Sequence, residues 1–242
     1  EQHALQLELL NVPPSQMLSV VTRIRRMFDL DADPLAIART LSASPLLAPV
    51  IERYPGLRLP GGWDGFEVAV RAVLGQQVSV AAARTLASRI VQRYGIAIEP
   101  VAGADLNRLF PGSEQLADAD MGQMGITQAR INTIQSIARA LLDGRVDFAL
   151  EQPLQHFINR WVQLPGIGEW TAHYIAIRVL KHPDAFPAAD LILRREANPL
   201  GEPVSTKALQ TLAESWRPWR AYSVMYLWRA ATDSAAARKE PT

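Results

Sequence analysis

The 242 residues carry 25 basic and 24 acidic side chains, a formal net charge of +1, and are 48% hydrophobic and 20% charged. Such a chain packs into a globule large enough for one sizeable domain, or two small ones around a cleft, and is not disordered. With no cysteine, disulfides, cysteine nucleophiles, thiolate zinc sites and cysteine-ligated iron–sulfur clusters are excluded. The four histidines, His3, His156, His173 and His182, show no metal-ligand spacing. All but three of the basic residues are arginine, which suits bidentate phosphate contacts. A GC-rich genome produces the same skew, so charge alone selects no partner. No apolar stretch approaches the roughly 20 residues of a membrane span, and no secretory leader is visible, so a cytoplasmic setting is expected. The chain starts at Glu1 without a methionine, as a fragment of a longer protein would.

In chain order, residues 4–12 (ALQLELLNV) read as a strand that stops at Pro13-Pro14. From Ser15 the apolar spacing turns helical, through Met17, Val20, Val21, Ile24 and Met27-Phe28. Short helices are predicted near 34–42 and 45–53, opened by Asp33-Pro34 and Ser44-Pro45. The loop from Pro55 to Gly62 is the first clear boundary. Helices follow at 64–74 and 78–94, broken by Gly75-Gln76-Gln77, and then at 128–143, 153–162, 168–181, near 190–197, 205–215 and 218–232. No second strand-rich region partners residues 4–12. The predicted class is therefore all-α with the stump of something else at its N-terminus, since a lone strand is marginal without partners.

The most informative segment lies between two of these helices: Leu164-Pro-Gly-Ile-Gly-Glu-Trp-Thr-Ala172. Pro165 and the two glycines permit a tight turn with outward backbone amides, and the amides of Gly166 to Gly168 would sit at a helix N-terminus where the dipole is positive. Such a turn can hold a DNA phosphate without basic side chains. It can equally be a plain packing loop. Further on stands Phe186-Pro-Ala-Ala-Asp190-Leu-Ile-Leu-Arg194, with Asp190 either capping the next helix or serving as a reactive carboxylate.

Hairpin and aspartate together resemble the helix–hairpin–helix DNA glycosylase superfamily. Arg71 to Val80, Leu57 to Gly61, Met124 to Arg130 and Glu214 to Trp228 are similar to the AlkA type of 3-methyladenine DNA glycosylase II, over roughly residues 12–232. The resemblance implies two helical subdomains flanking a cleft, 65–182 with the hairpin and 41–64 plus 183–242, behind a truncated N-terminal α/β remnant at 1–40. It implies a monofunctional enzyme that hydrolyses the N-glycosidic bond of alkylated bases in double-stranded DNA, acting as a monomer. Asp190 would be the catalytic carboxylate, stabilising an oxocarbenium-like sugar or positioning water. Where lyase relatives carry a Schiff-base lysine, this chain has Trp170. Trp170, Tyr174 and Trp228 would form an aromatic pocket for a cationic base, although core aromatics would read the same. Trp161, Trp216 and Trp219 are expected to pack.

Gln76 would lie at the pocket edge, and Gln77 would fill the gap left by the extruded base. Leu164, Gly166, Ile167, Gly168 and Thr171 would meet the DNA backbone. No organic cofactor is implied; a monovalent cation on the carbonyls of Val162, Leu164 and Gly166 is. The chain departs from the family at Gln77 and Arg229, where the best-known bacterial form has an apolar and an aromatic residue. Two alternatives stay open: another monofunctional base-excision glycosylase, and a non-catalytic helix–hairpin–helix DNA-binding module.

Overall fold

A computed structural model describes residues 4–100, 106–198 and 202–237, and nearly all regular structure in them is helical. Helix α1 (Pro14–Met27) starts on a proline, whose missing N–H costs nothing at that position. Helix α2 (Pro34–Leu41) is capped by Asp33, whose carboxylate accepts from the amides of Leu35 and Ala36. Helix α3 (Ala48–Arg53) follows. Asp64 caps α4 (Gly65–Leu74) and Ser79 caps α5 (Val80–Tyr94). After α6 (Ser113–Leu116), the long α7 (Gln128–Leu142) leads to α8 (Leu154–Trp161) and α9 (Glu169–Ile175). Helices α10 (Leu191–Glu196), α11 (Thr206–Ala213) and α12 (Arg220–Ala237) complete the chain.

Several expectations are corrected. Residues 4–12 form no strand: among the described residues nothing pairs with them, and an unpaired strand leaves its backbone bonds unmade. A two-residue hairpin was not foreseen. Its strands β1 (Ile96–Ala97) and β2 (Arg108–Leu109) are antiparallel and exposed, too short to show any alternation. The single turn of α6 also went unpredicted. The helix expected at 168–181 is α-helical only to Ile175; Ala176–Leu180 is a π-helix, and Lys181 leaves it at φ +57°. The helix expected at 205–215 ends in a 3₁₀ turn over Glu214–Trp216, and the last helix starts at Arg220 and runs on to Ala237.

Packing assembles the helices in two groups. Helix α4 is the hub of the first, lying on α5, α7 and α9, while α6 packs on α7 and α8 on α9. In the second, α12 lies on α3 and α10, with α11 on α10 and α2 on α3. One buried cluster runs through both, from Phe66, Val70 and Leu74 to Leu193, Leu209 and Leu227, each worth about 1.5–3 kcal/mol of burial. Trp161 is fully buried beside Phe148 and Phe157, and Trp216 meets Phe186 edge-on. Trp219 is half-buried, edge-on to Tyr222. All three serve packing, as expected.

The segment leading to Asp190 is tied down from α12. Arg220 grips Asp184 through Nε and Nη2 at 2.6 and 2.8 Å, and Arg217 bonds the same carboxylate. His173 sits beneath this segment, its Nδ1 accepting the Phe186 amide at 3.2 Å. Burial, helped by Arg220 and His182, pushes the His173 pKa down to about 4 from 6.5. Protonation would destroy the acceptor, and the unfolded chain binds the proton more readily. Stability is therefore complete above pH 6.5 and is lost as pH falls towards 4. An unfolding series from pH 7 to pH 5 should lose about 2 kcal/mol from this group. A His173→Gln variant should show a flatter pH dependence; an unchanged slope would assign the loss elsewhere.

Candidate active site

The hairpin joins α8 to α9. Leu164 N–H donates to Trp161 O at 3.1 Å and Ile167 N–H to Leu164 O at 3.0 Å, while Gly166 adopts φ +82°. Leu164 and Ile167 turn their side chains into the core, and Pro165, Gly166 and Gly168 stay exposed. The expectation of outward amides from Gly166 to Gly168 needs narrowing, because the Ile167 amide is spent inside the turn. Gly168 is the N-cap residue of α9 and brings no side-chain cap, so the amides of the first turn point outward at the positive end of the helix. A Cβ on Gly168 would meet nothing within 4 Å. Thr171 is only 3% exposed, and its hydroxyl accepts from the Gln76 side-chain amide at 3.1 Å. It faces inward rather than towards a DNA surface.

Asp190 is the N-cap of α10. Its Oδ1 accepts from the amides of Ile192 and Leu193 at 2.9 and 3.0 Å. Its Oδ2 accepts from Trp170 Nε1 at 2.8 Å. The cap bonds and the indole bond thus use different oxygens of one carboxylate. The side chain is nearly buried, at 7% exposure. Trp170 stacks on Tyr174 with centroids 5.4 Å apart and planes 14° apart, as one helical turn of separation permits. Trp228 reaches Tyr174 at 6.4 Å. Arg178, not anticipated, lies over both Tyr174 and Trp228 at 5.4 and 5.7 Å. A guanidinium already occupies those faces, so the remaining face of Trp170 is the one available to a ring.

Trp170 and Tyr174 border a cavity of about 280 Å³ that is also lined by Ala72, Gly75 and Val78 of the 71–80 segment and by Arg84. The turn closing α4 forms its far side. There Gln77 is exposed and held at φ +55°, a left-handed conformation that a non-glycine residue adopts at some cost. Gln76 does not reach into the cavity. Its side-chain nitrogen donates to Gly166 O at 3.2 Å and to Thr171 Oγ1, and its carbonyl receives a bond from Arg130. Gln76 is thus a brace between the Gln77 turn and the hairpin. Removing it in Gln76→Ala should cost about 1–3 kcal/mol and raise hydrogen exchange in both turns together. Exchange rising in one turn alone would contradict the brace.

Neutral carbonyl oxygens suit a monovalent cation, yet Leu164 O already accepts the Ile167 amide and Gly166 O the Gln76 amide. With Val162, these carbonyls could hold an ion only through their second lone pairs, and no chemical step is derived from one. Among the described residues no group of three His, Asp or Glu side chains could hold a metal. Arg229 turns away from the cavity, stacking on Tyr54 at 4.2 Å, donating to its hydroxyl at 3.0 Å and pairing with Asp233. Arg130 on α7 ends the Met124–Arg130 segment, but its bond to the Gln76 carbonyl, 54 residues away, left no local mark. Arg178 carried a signal, standing four residues after Tyr174 on the same helical face.

Comparison with known proteins agrees with this architecture. Residues 70–221 match the family model described as HhH-GPD superfamily base excision DNA repair protein, and residues 1–64 match the AlkA N-terminal domain. A Mycobacterium tuberculosis protein named probable bifunctional transcriptional activator/DNA repair enzyme AlkA is 44% identical over 88% of this chain, which spans 42% of that relative's length. DNA-3-methyladenine glycosylase 2 of Escherichia coli is 32% identical over 86% of the chain and 70% of its own length. The solved 3-methyladenine DNA-glycosylase of Archaeoglobus fulgidus superposes with a TM-score of 0.77 over 92% of this chain and 77% of its own, at 23% identity, a likeness of fold. The helical body, the hairpin and the matches over most of its length together make this chain a member of the HhH-GPD superfamily of base excision DNA repair proteins, in its AlkA-type branch.

Proposed function

We propose that the chain is a monofunctional DNA glycosylase that hydrolyses the N-glycosidic bond of alkylated bases, of the 3-methyladenine and 7-methylguanine type, in double-stranded DNA. The observation that carries this reading is the Asp190 carboxylate, with one oxygen held by the Trp170 indole at 2.8 Å where Trp170 borders a base-sized cavity. DNA would lie across the hairpin, one phosphate on the first-turn amides of α9. The damaged base would leave the stack, with Gln77 in the gap, and lie against the open face of Trp170. An alkylated purine is cationic and electron-poor, so it stacks well on indole and is already a good leaving group.

The reaction needs little more than Asp190. As the C1′–N bond lengthens, its electron pair leaves with the base and positive charge develops on the sugar, where the adjacent carboxylate stabilises it. Water then bonds to C1′ and gives up a proton to Asp190 or to solvent. With an indole at position 170 and no amine there, no Schiff base forms and the strand stays intact. The chain would act as a monomer, without an organic cofactor. Base release from methylated duplex DNA, followed by chromatography, tests the reading. Free methylpurines with an unbroken strand are expected, whereas strand breaks before heat or alkali would contradict the monofunctional chemistry.

Hairpin capture makes a separate prediction. Because a Cβ at Gly168 meets open space and its φ is −91°, Gly168→Val should fold, at a cost of about 1 kcal/mol for the poorer N-cap residue. Its side chain would stand where the phosphate sits, weakening abasic-DNA binding about 10-fold or more with little sequence dependence. Unchanged affinity would remove the hairpin from the DNA interface.

A further inference from the structure

A second cavity, of about 440 Å³, opens between α1, the Gly61-Gly62 loop and the end of the π-helix. Its charged lining is Arg23, Arg26, Arg178 and Lys181, with no acidic residue. The closest counter-charge is Asp29, which pairs with Lys181 Nζ at 3.7 Å, beyond hydrogen-bond reach. Tyr222 Oη and the Leu59 amide, at 2.9 and 3.0 Å, both bond the other oxygen of that carboxylate, Oδ2, so one carboxylate oxygen, out of hydrogen-bond range, is all the acid that Lys181 faces. Two cationic donors end up buried without an acceptor, Lys181 Nζ and Arg178 Nε, and the Lys181 side chain is only 8% exposed. Buried charged donors are costly to leave unsatisfied. The backbone that brings them there is itself unusual: a π-helix followed by a left-handed lysine, a kind of irregularity that tends to mark functional sites.

The surrounding groups bear the cost of the clustering. Burial pushes the Lys181 pKa down to about 8, the pull of Asp29 only partly opposing it. Burial, and then Arg23, lower that of Arg26 as well. Arg26 and Arg178 each spend a bond on a backbone carbonyl, of Val179 and Pro60 respectively, which fixes their guanidinium planes at the cavity wall. Arg23 stacks on Trp63 at 4.7 Å, and the hydroxyls of Ser19 and Thr22 add neutral donors. Fixed planar guanidinium groups, an ammonium and hydroxyls are the donor set of a tetrahedral oxyanion.

We propose that this cavity binds a phosphate-class oxyanion. It lies beyond the base-binding cavity but is linked to it: a smaller space of about 200 Å³ shares Gly61, Gly62 and Arg178 with the one and Arg71 and Tyr174 with the other. Two sources offer the same chemistry, free inorganic phosphate and a backbone phosphate of bound DNA.

Titrating the chain with inorganic phosphate, against chloride at equal ionic strength and without DNA, separates these sources from each other and from the glycosylase reading. The variants are Lys181→Met and Arg23→Gln; Arg23 is exposed, so its replacement leaves the fold intact. If free phosphate is the ligand, it raises the unfolding midpoint of the parent chain and binds each variant at least about 10-fold more weakly. If the ligand is DNA phosphate, free phosphate has no effect, and the salt dependence of abasic-DNA binding in Arg23→Gln loses about one unit of slope. The proposal is overturned if folded variants match the parent in both phosphate response and salt slope. Because the phosphate arm contains no DNA, its result stands whether or not the chain releases bases.

Discussion

Asp190→Asn should fold and should release 7-methylguanine from duplex DNA about 10²–10³-fold more slowly than the parent chain, the loss that accompanies removal of a group stabilising transition-state charge. Folding survives because asparagine caps helices about as well as aspartate. Its amide oxygen can take over the bonds from Ile192 and Leu193 that Oδ1 now accepts. The other half of the side chain cannot be conserved. Where Oδ2 accepts from Trp170 Nε1, the asparagine presents an NH₂, and two donors face each other. That mismatch costs about 1–3 kcal/mol and would displace the indole. The catalytic loss has to be separated from this displacement, and Trp170→Phe does so, removing the indole N–H while keeping an aromatic face. Trp170→Phe alone should lose far less activity than Asp190→Asn, and the double variant should remain as slow as Asp190→Asn. Equal base release by Asp190→Asn and the parent, both shown folded by circular dichroism, would end the carboxylate mechanism.

The parts of this site that sequence exposes are those whose meaning is local. The run from Leu164 to Tyr174 contains its own turn, its own helix start and the Trp170–Tyr174 spacing, and the structure keeps all three. Asp190 was legible both as a cap and as a candidate reactive group; the structure shows the cap on Oδ1 and leaves Oδ2 to the Trp170 indole. What stayed hidden depends on distance along the chain. Gln76 finds its acceptors 90 and 95 residues away, so nothing near it distinguishes a brace from a pocket edge. Thr171 looks like an exposed helix-start threonine until Gln76 covers it. Arg178 was in view, one turn beyond Tyr174, but only packing shows that it takes the ring faces a cationic base would want. At 4–12 the error ran the other way: a strand-like composition cannot become a strand without a partner, and among the described residues none is supplied.

Gly166→Ala should destabilise the chain by about 2–6 kcal/mol, the largest stability loss expected from any single hairpin substitution. Two independent costs add. Gly166 sits at φ +82°, where a side chain costs about 1–3 kcal/mol. A Cβ would also fall 2.0 Å from Thr133 Oγ1 and about 3 Å from the Cβ and Cγ2 of the same residue. Thr133 cannot step aside freely, being 5% exposed on α7 with its hydroxyl bonded to Ala129 O at 2.9 Å, and forced overpacking costs about 1–3 kcal/mol. The two costs separate in a double-mutant cycle. Thr133→Ala deletes the colliding atoms but leaves the backbone strain, so the pair should be less destabilised than the sum of the singles by about 1–3 kcal/mol. Thermal unfolding measures the single loss as a midpoint about 5–15 °C lower for a chain of this size. Strictly additive effects would mean that α7 yields around the new methyl and that only φ matters at Gly166. A coupled result would instead identify the Gly166–Thr133 contact as what seats the hairpin against α7. Arg130 lies on that same helix and holds the turn of Gln76 and Gln77, so both turns would then be anchored by one element.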